Sequence, residues 1–166
     1  MAVPPTWAAR SLVLRHAIDE DMPFLRRLYG QTRAQELAAV PWPRDMLERF
    51  LDDQFALQHR HYVNQFGTAQ FLIIEHQGRP IGRLYVEKLA AGYHIIDISI
   101  VDNQQGQGLG SALIKHLQVQ AGGEGLGVSL HVNVYNPHAR RLYERLGFRS
   151  IAEEGTYLAM RWQSIN

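Results

Sequence analysis

The fold is decided by a glycine-rich stretch that reads Gln105-Gly106-Gln107-Gly108-Leu109-Gly110. An apolar run from His94 to Val101 precedes it, and residues 111–121 after it have the composition of a helix. Glycines at alternate positions leave backbone N–H groups uncovered at the point where the positive end of a helix dipole begins. The stretch therefore predicts a phosphate-binding loop between a strand and a helix.

Two common phosphate-binding loops do not fit this stretch. A P-loop needs Lys followed by Ser or Thr after its last glycine, whereas Ser111 and Ala112 follow Gly110. The dinucleotide fingerprint G-x-G-x-x-G would need glycine at position 111, and it normally opens the first strand–helix unit of a chain. The pattern that remains is Q-x-x-G-x-G, formed by Gln105, Gly108 and Gly110. By itself, this pattern also fits a glycine-rich helix entry that binds nothing.

Length and composition narrow the classes of protein. The chain has 166 residues, with 17 basic and 16 acidic side chains, which predicts a single domain over residues 1–166 and argues against a nucleic-acid partner. The absence of cysteine excludes disulfides, thiolate metal ligands and a thiol nucleophile. We find neither a basic leader with an apolar core nor an apolar run of about 20 residues, so we expect a cytoplasmic protein with no membrane partner.

The spacing of apolar residues predicts the element order βααβββαβαββ. A Pro41-Trp42-Pro43 segment separates the first two helices, because proline does not continue a helix. The predicted strands cover residues 11–15, 70–76, 80–87, 94–101, 128–135, 148–152 and 157–162, with one more turn near residues 90–92. The predicted helices begin near Phe24, Asp45, Ser111 and Asn136, and Gly147 ends the last one.

A second motif reads Asn136-Pro-His-Ala-Arg-Arg-Leu-Tyr-Glu-Arg-Leu-Gly-Phe148. Together with the glycine loop, it resembles the GNAT superfamily of acyl-CoA-dependent N-acetyltransferases, whose Q/R-x-x-G-x-G/A loop and N-x-x-A-x-x-x-Y-x-x-x-G-F helix occur in this order. The element order matches that fold from Ser11 to Trp162. The resemblance implies an α/β (α+β) fold: a mixed, mostly antiparallel sheet of about seven strands, about four flanking helices, and strands 4 and 5 splayed apart.

The resemblance also implies acetyl-CoA as the cosubstrate, with no metal. The glycine loop and Ser111 would hold the pyrophosphate, the end of the fourth strand would pair with the pantetheine amides, and Asn136 would cap its helix and bond the pantetheine. Ala139 would be small because the cosubstrate passes close by. The expected cosubstrate-binding residues are Ile98, Ile100, Val101, Gln105, Gly106, Gln107, Gly108, Leu109, Gly110, Ser111, Asn136, Ala139 and Tyr143.

Tyr143 is the expected general acid. It lies two helical turns after Asn136, and the resemblance implies that its phenol protonates the leaving thiolate; the alternative is a packed aromatic residue. Two residues compete as the base that deprotonates the amine. Asp97 lies on the predicted fourth strand, and His131 lies where relatives that acetylate N-terminal amines carry glutamate. Each could instead be structural.

The acceptor is expected to be an amine of a small molecule or a peptide. Its predicted contacts are Tyr29, Arg33, Glu36, Trp42, Tyr85, Asn133 and Tyr157, although Arg33 and Glu36 could simply be solvated. The resemblance admits a homodimer. His59 and His61 are rejected as metal ligands, because they diverge on a helix and no carboxylate follows at ligand spacing. The alternatives are an acyl-CoA sensor without turnover and, in a third class, a nucleotide-binding oxidoreductase.

Overall fold

The structure is a computed structural model that describes residues 12–165. Ser11, the first position of the predicted first strand, lies outside the described residues. The strands are β1 (Leu12–His16), β2 (Gln70–His76), β3 (Arg79–Leu89), β4 (Gly92–Ile100), β5 (Gly127–Asn133), β6 (Arg149–Glu154) and β7 (Tyr157–Gln163). The helices are α1 (Met22–Leu37), α2 (Arg44–Gln65), α3 (Leu109–Gly123) and α4 (Pro137–Arg145). The predicted order βααβββαβαββ is confirmed.

The seven strands form one sheet in the order β1-β2-β3-β4-β5-β7-β6. Strand β1 pairs antiparallel with β2, and β7 pairs antiparallel with both β5 and β6, whereas β4 and β5 are parallel. The β4–β5 register runs only from Gly92–Gly127 to Ile95–Leu130, although β4 continues to Ile100 and β5 to Asn133. The predicted fold class is thus confirmed, including the parting of strands 4 and 5.

Two compact units can be distinguished among the described residues. The first comprises residues 12–83 and 99–105, and the second comprises residues 84–98 and 106–165. One domain over residues 1–166 stays a prediction. No helix within residues 12–165 combines the length and the apolar composition needed to cross a membrane.

The first unit has its core where α1 and α2 meet β2. Leu25, Tyr29, Phe55 and Ile73 are buried together, and Leu25 and Tyr29 lie one helical turn apart on α1. As predicted, the proline segment interrupts the helices, and Pro43 stands immediately before α2. This core holds α1 and α2 in place. Three of the predicted acceptor contacts, Tyr29, Arg33 and Glu36, lie on α1, and a fourth, Trp42, lies in the segment between the two helices.

The second unit is organised around α3 and β5. Helix α3 buries Leu113, Ile114 and Leu117 and contacts β5, which buries Val128, Leu130 and Val132 on one face. The alternate residues Ser129, His131 and Asn133 therefore lie on the opposite face of β5. This alternation decides which candidate site residues can meet.

One predicted boundary is wrong at a place that matters for the site. The strand predicted to reach Tyr135 ends at Asn133, and Tyr135 lies in a turn with 82% of its surface exposed. The reason is local: the side-chain oxygen of Asn133 accepts a hydrogen bond from the Tyr135 N–H at 2.9 Å. Such a bond offers the backbone a turn in place of a strand. Tyr135 therefore does not share a strand face with His131.

Candidate active site

The glycine loop has a backbone conformation that favours glycine. Gly106 and Gly108 both have φ of +76°, and a Cβ at either position would meet nothing within 4 Å. The surrounding atoms leave room for a side chain at both positions, so it is the left-handed backbone angle that favours glycine here. The loop borders open space at both positions.

Helix α3 starts directly after this loop. Gly108 stands before its first residue and provides no side-chain cap, and Ala112 donates its N–H to the Gly108 carbonyl at 3.0 Å. The N–H groups of Leu109, Gly110 and Ser111 therefore come before the first intrahelical hydrogen bond. The first turn also has no acidic side chain. Uncapped N–H groups at the positive end of a helix fit a phosphate group.

Gln105 organises the entry to the loop, within the first unit. Its side-chain amide donates to the Ile100 carbonyl at 2.8 Å, and the Val101 N–H donates to the Ile81 carbonyl at 2.8 Å. Both interactions hold the end of β4 in place. They also engage two backbone groups in the segment expected to bind pantetheine, so the contacts of Ile98, Ile100 and Val101 with the cosubstrate stay predictions.

Asn136 caps helix α4 as predicted. Its Oδ1 accepts a hydrogen bond from the Ala139 N–H at 3.1 Å, and Pro137 occupies the first helical position. Ala139 is half-buried. The cap fixes where α4 begins and so sets the position of Tyr143 two turns later.

Tyr143 is partly buried, with its ring centroid 6.0 Å from that of Phe148. Burial, followed by the negative charge of Asp97, raises the pKa of the Tyr143 phenol to about 12. The structure therefore brings together two of the three predicted catalytic residues. A phenol with this pKa stays protonated at neutral pH and is available as a hydrogen-bond donor.

Asp97 reaches this position through the alternation of β4. Ile95 is buried and pairs with Leu130, and Asp97 follows two residues later on the same face. It stands just beyond the last β4–β5 pair. The Asp97 side chain thus lies where β4 and β5 part, on the same face of the sheet as Ile95 and Leu130.

His131 lies at the same level of the sheet but on the opposite face. Its Nε2 is 3.0 Å from Oε2 of Glu154, and its ring stands edge-on to that of His94 with the centroids 5.3 Å apart. His94 in turn places Nδ1 2.9 Å from the Ser129 hydroxyl oxygen. Burial, then the neighbouring His131, lowers the pKa of His94, while Glu87 opposes that shift. The two candidate bases thus have separate surroundings.

The reading of the sequence missed His94 and Glu154. Alternation along β4 and β5 could have indicated His94, since it pairs with Ser129, which shares its face with His131. Glu154 could not be placed in the same way. The register of β6 against β7 shifts between Ser150 and Ala152, and such a shift moves every later residue relative to its partner strand.

Four of the predicted acceptor contacts form one cluster in the first unit. Arg33 donates to the Tyr29 hydroxyl at 3.0 Å and pairs with Glu36 at 3.2 Å, and its guanidinium lies 5.6 Å from the Phe50 ring centroid. Trp42 packs edge-on against the same phenylalanine at 5.1 Å. Hydrogen bonding to Glu36 raises the pKa of Arg33. Arg33 and Glu36 neutralise each other in this arrangement.

The other three predicted acceptor contacts lie in the second unit. Tyr85 is buried, whereas Tyr157 is half exposed and pairs with Asn133 across β5 and β7. Asn133 follows His131 by two residues on the same face of β5. Asn133 and Tyr157 therefore extend the polar surface that begins at His131.

The second unit also contains a cavity of about 840 Å³, lined by residues from the end of α4 through the last strands, among them Phe148, Ile151, Arg161 and Trp162. No predicted site residue lines it. Among the described residues, no group of three His, Cys, Asp or Glu side chains is arranged to hold a metal ion. His59 stacks on Phe55 instead, with the ring centroids 6.0 Å apart.

The sequence matches the family model described as the acetyltransferase (GNAT) family over residues 23–148. A 5-NmdU N-acetyltransferase of Pseudomonas phage PaMx11 is 33% identical over 96 residues, which are 54% of this chain and 67% of the phage protein.

Solved structures share the fold at lower identity. A PaiA N-acetyltransferase from Thermoplasma acidophilum in complex with coenzyme A gives a TM-score of 0.69 at 14% identity, covering 93% of this chain and 99% of that one. A spermidine N-acetyltransferase from Vibrio cholerae in complex with CoA and spermine gives a TM-score of 0.61 at 22% identity, covering 92% and 95%.

Proposed function

The chain belongs to the GNAT acetyltransferase family, and on that premise we propose that it transfers the acetyl group of acetyl-CoA directly to a primary amine. The observation that carries the proposal is that Asp97, which lies where β4 and β5 part, acts electrostatically on the partly buried Tyr143 phenol. Acetyl-CoA supplies the reactive thioester. In the absence of cysteine, no thiol side chain is available to carry an acyl group, which favours direct transfer.

The residues of the loop and of α4 have distinct roles in this proposal. The backbone of Gly106 to Gly110, with Ser111, binds the pyrophosphate at the start of α3. Asn136 fixes α4, and Tyr143 donates its phenolic hydrogen to the sulfur as the carbon–sulfur bond breaks. A base removes one proton from the ammonium form of the acceptor, so that the nitrogen lone pair can form the new bond to the acetyl carbon, and the second proton lost as the amide forms restores the Tyr143 phenol. Asp97 and His131 are the two candidates for that base.

The acceptor class is proposed as a small molecule or a peptide with a primary amine. Two relatives suggest specific probes, since one is named for 5-NmdU and another for spermidine. The cluster around Arg33 in the first unit offers polar and aromatic contacts to such molecules, and the surface around Asn133 and Tyr157 in the second unit is a separate candidate. A cytoplasmic location and a homodimer remain part of the proposal on the family resemblance.

A panel assay tests the proposal. Thiol release from acetyl-CoA is measured with spermidine, spermine, 5-NmdU and a short peptide with a free N-terminal amine, and N-acetylated product is identified by mass spectrometry. We expect release that depends on one of these amines, with product formed in equal amount. Tight binding of CoA without turnover on any amine would instead identify an acyl-CoA sensor. Saturable binding of NAD(P) without binding of CoA would indicate an oxidoreductase.

A further inference from the structure

The polar group on the His131 face of the sheet contains His131, Glu154, His94 and Ser129, and we call it the histidine cluster. All four belong to the second unit, and their contacts form a continuous chain from β6 through β5 to β4. His94 and Ser129 form the pair directly before the last β4–β5 pair, and His131 follows Leu130 of that last pair, so three of the four members lie next to the point where the two strands part. Such an arrangement can hold an imidazole in one orientation and one tautomer.

We propose that His131 is the general base of the reaction and that Glu154 is its positioning residue. The inference rests on the proposed acetyl transfer and decides between the two bases which that proposal leaves open. Glu154 acts through His131, because its carboxylate contacts Nε2 of the imidazole at 3.0 Å. No other part of the proposed mechanism uses Glu154.

The hydrogen-bond pattern determines which nitrogen can act. A carboxylate only accepts hydrogen bonds, so Nε2 of neutral His131 carries the hydrogen that is donated to Glu154. The Nδ1 lone pair then remains as the proton acceptor. It would take one proton from the acceptor ammonium, which frees the nitrogen lone pair to bond to the acetyl carbon. Sulfur leaves with the carbon–sulfur electron pair and takes the phenolic hydrogen of Tyr143, and the second proton lost by the nitrogen as the amide forms restores the Tyr143 phenol.

The neighbours of His131 favour this role. His94 is held by Ser129 at 2.9 Å, and its lowered pKa keeps it neutral, so it does not compete for the proton. The side chains of His131 and Glu154 are 40% and 59% exposed, which gives the accepted proton a route to water. Other titratable groups of this unit near the cluster include Glu87, which acts on His94, Arg161, which pairs with Ser129 across β5 and β7, and Tyr157, which pairs with Glu154.

Asp97 is less suited to be the base because it lies beside Tyr143. Its charge acts on the phenol that is proposed to serve the leaving sulfur. The amine and the sulfur are separate substituents of the reacting carbon, so the acid and the base need separate positions. The structure provides them on the two faces of the parting strands. In this arrangement, burial and the charge of Asp97 together raise the pKa of the Tyr143 phenol, and His131 receives the proton of the amine.

The test compares pH–rate profiles of the full chain, with spermidine as the probe amine or with whichever panel amine gives the highest rate. Glu154→Ala removes the oxygen that holds the His131 Nε2–H, so kcat should fall while KM for acetyl-CoA stays unchanged, and Glu154→Gln, whose amide oxygen can still accept that bond, should recover most of kcat. Exposed pairs are weak, which limits the expected fall in kcat to roughly two- to fivefold. Glu153→Ala is the matched control, because it removes the adjacent side chain on the opposite face of β6 and should leave kcat unchanged.

Two further variants make the outcome decisive. His131→Gln should lower kcat by roughly 10²-fold or more with little change in KM for acetyl-CoA, and Asp97→Asn should keep the acidic limb. An unchanged kcat in Glu154→Ala or His131→Gln, or loss of the acidic limb in Asp97→Asn, overturns the assignment. If the unchanged protein releases no thiol with any amine, the acetyl transfer fails and the base role with it. Turnover by the unchanged protein together with full activity of Glu154→Ala and His131→Gln contradicts only the role of the histidine cluster.

Discussion

Replacing Tyr143 by phenylalanine removes one oxygen atom from the proposed site and leaves the ring. The ring contact with Phe148, at 6.0 Å between centroids, does not need the hydroxyl. Within residues 12–165, the phenol makes no hydrogen bond that would be lost. We therefore expect the free energy of unfolding to change by less than about 1 kcal/mol, as is usual where no native contact is removed.

The effect on the reaction can be worked out from the pKa of Tyr143, which is raised to about 12. An ordinary thiol has a pKa of about 8.5, so complete proton transfer from this phenol to a free thiolate is uphill by roughly 3.5 pKa units, or about 5 kcal/mol. The phenol would therefore contribute mainly by hydrogen bonding to the sulfur while negative charge develops there. Removing one such preorganised donor typically costs about 10²–10³ in kcat. We expect a fall of roughly 10²-fold in Tyr143→Phe.

The assay is steady-state thiol release at saturating amine, with calorimetric titration of CoA and thermal melting on the same samples. KM for acetyl-CoA and CoA affinity should stay within about threefold of the unchanged protein, because only the developing charge is affected. Tyr135→Phe is the control, since Tyr135 lies exposed in the turn before α4. A kcat within threefold of the unchanged protein, with normal melting, would refute the acid role of Tyr143.

Three other predictions concern the loop, the histidine cluster and the α4 cap. Gly108→Val places a branched residue at a φ of +76° and should abolish CoA binding by calorimetry; Gly155→Val, at +65° in a hairpin turn, is the control and should retain it. Because the pKa of His94 is lowered in the folded protein, this histidine is protonated at a higher pH in the unfolded chain than in the folded one. Stability should therefore fall as pH drops below about 6.5, and melting temperatures in His94→Gln should depend less on pH between 7.5 and 5. Asn136→Ala removes the cap and should cost about 1 kcal/mol in urea unfolding, whereas Asn136→Asp should restore most of it; equal stability of all three proteins would contradict the cap.

The sequence was sufficient for features set by local chemistry. The glycines of the loop, the Asn136 cap and the proline break before α2 each follow from the preferences of single residues, and the structure shows them where they were expected. The element order also followed from apolar spacing, because each helix or strand has one buried side. The parting of strands 4 and 5 was expected from the family resemblance rather than from the residues themselves, and the structure places it after Ile95 and Leu130.

The rest depends on contacts between residues far apart in the chain. Glu154 meets His131 only because the irregular pairing of β6 with β7 sets its register, and no local pattern encodes that shift. Arg33 and Glu36 were predicted as separate ligand contacts, and their mutual ion pair is decided by rotamers on one helical turn. The sequence could name candidate bases, but it could not indicate that Asp97 and His131 lie on opposite faces of the sheet.

Direct transfer is the central claim, and it is tested most directly by one rapid-quench measurement. Excess protein is mixed with acetyl-CoA and the most active panel amine, and free CoA, N-acetylated amine and intact protein mass are followed together over a single turnover. We predict that CoA and N-acetylated amine appear at the same rate and in equal amounts, while the protein mass stays unchanged. Acetylated protein that forms before the product, or CoA released without N-acetylated amine, would contradict direct transfer.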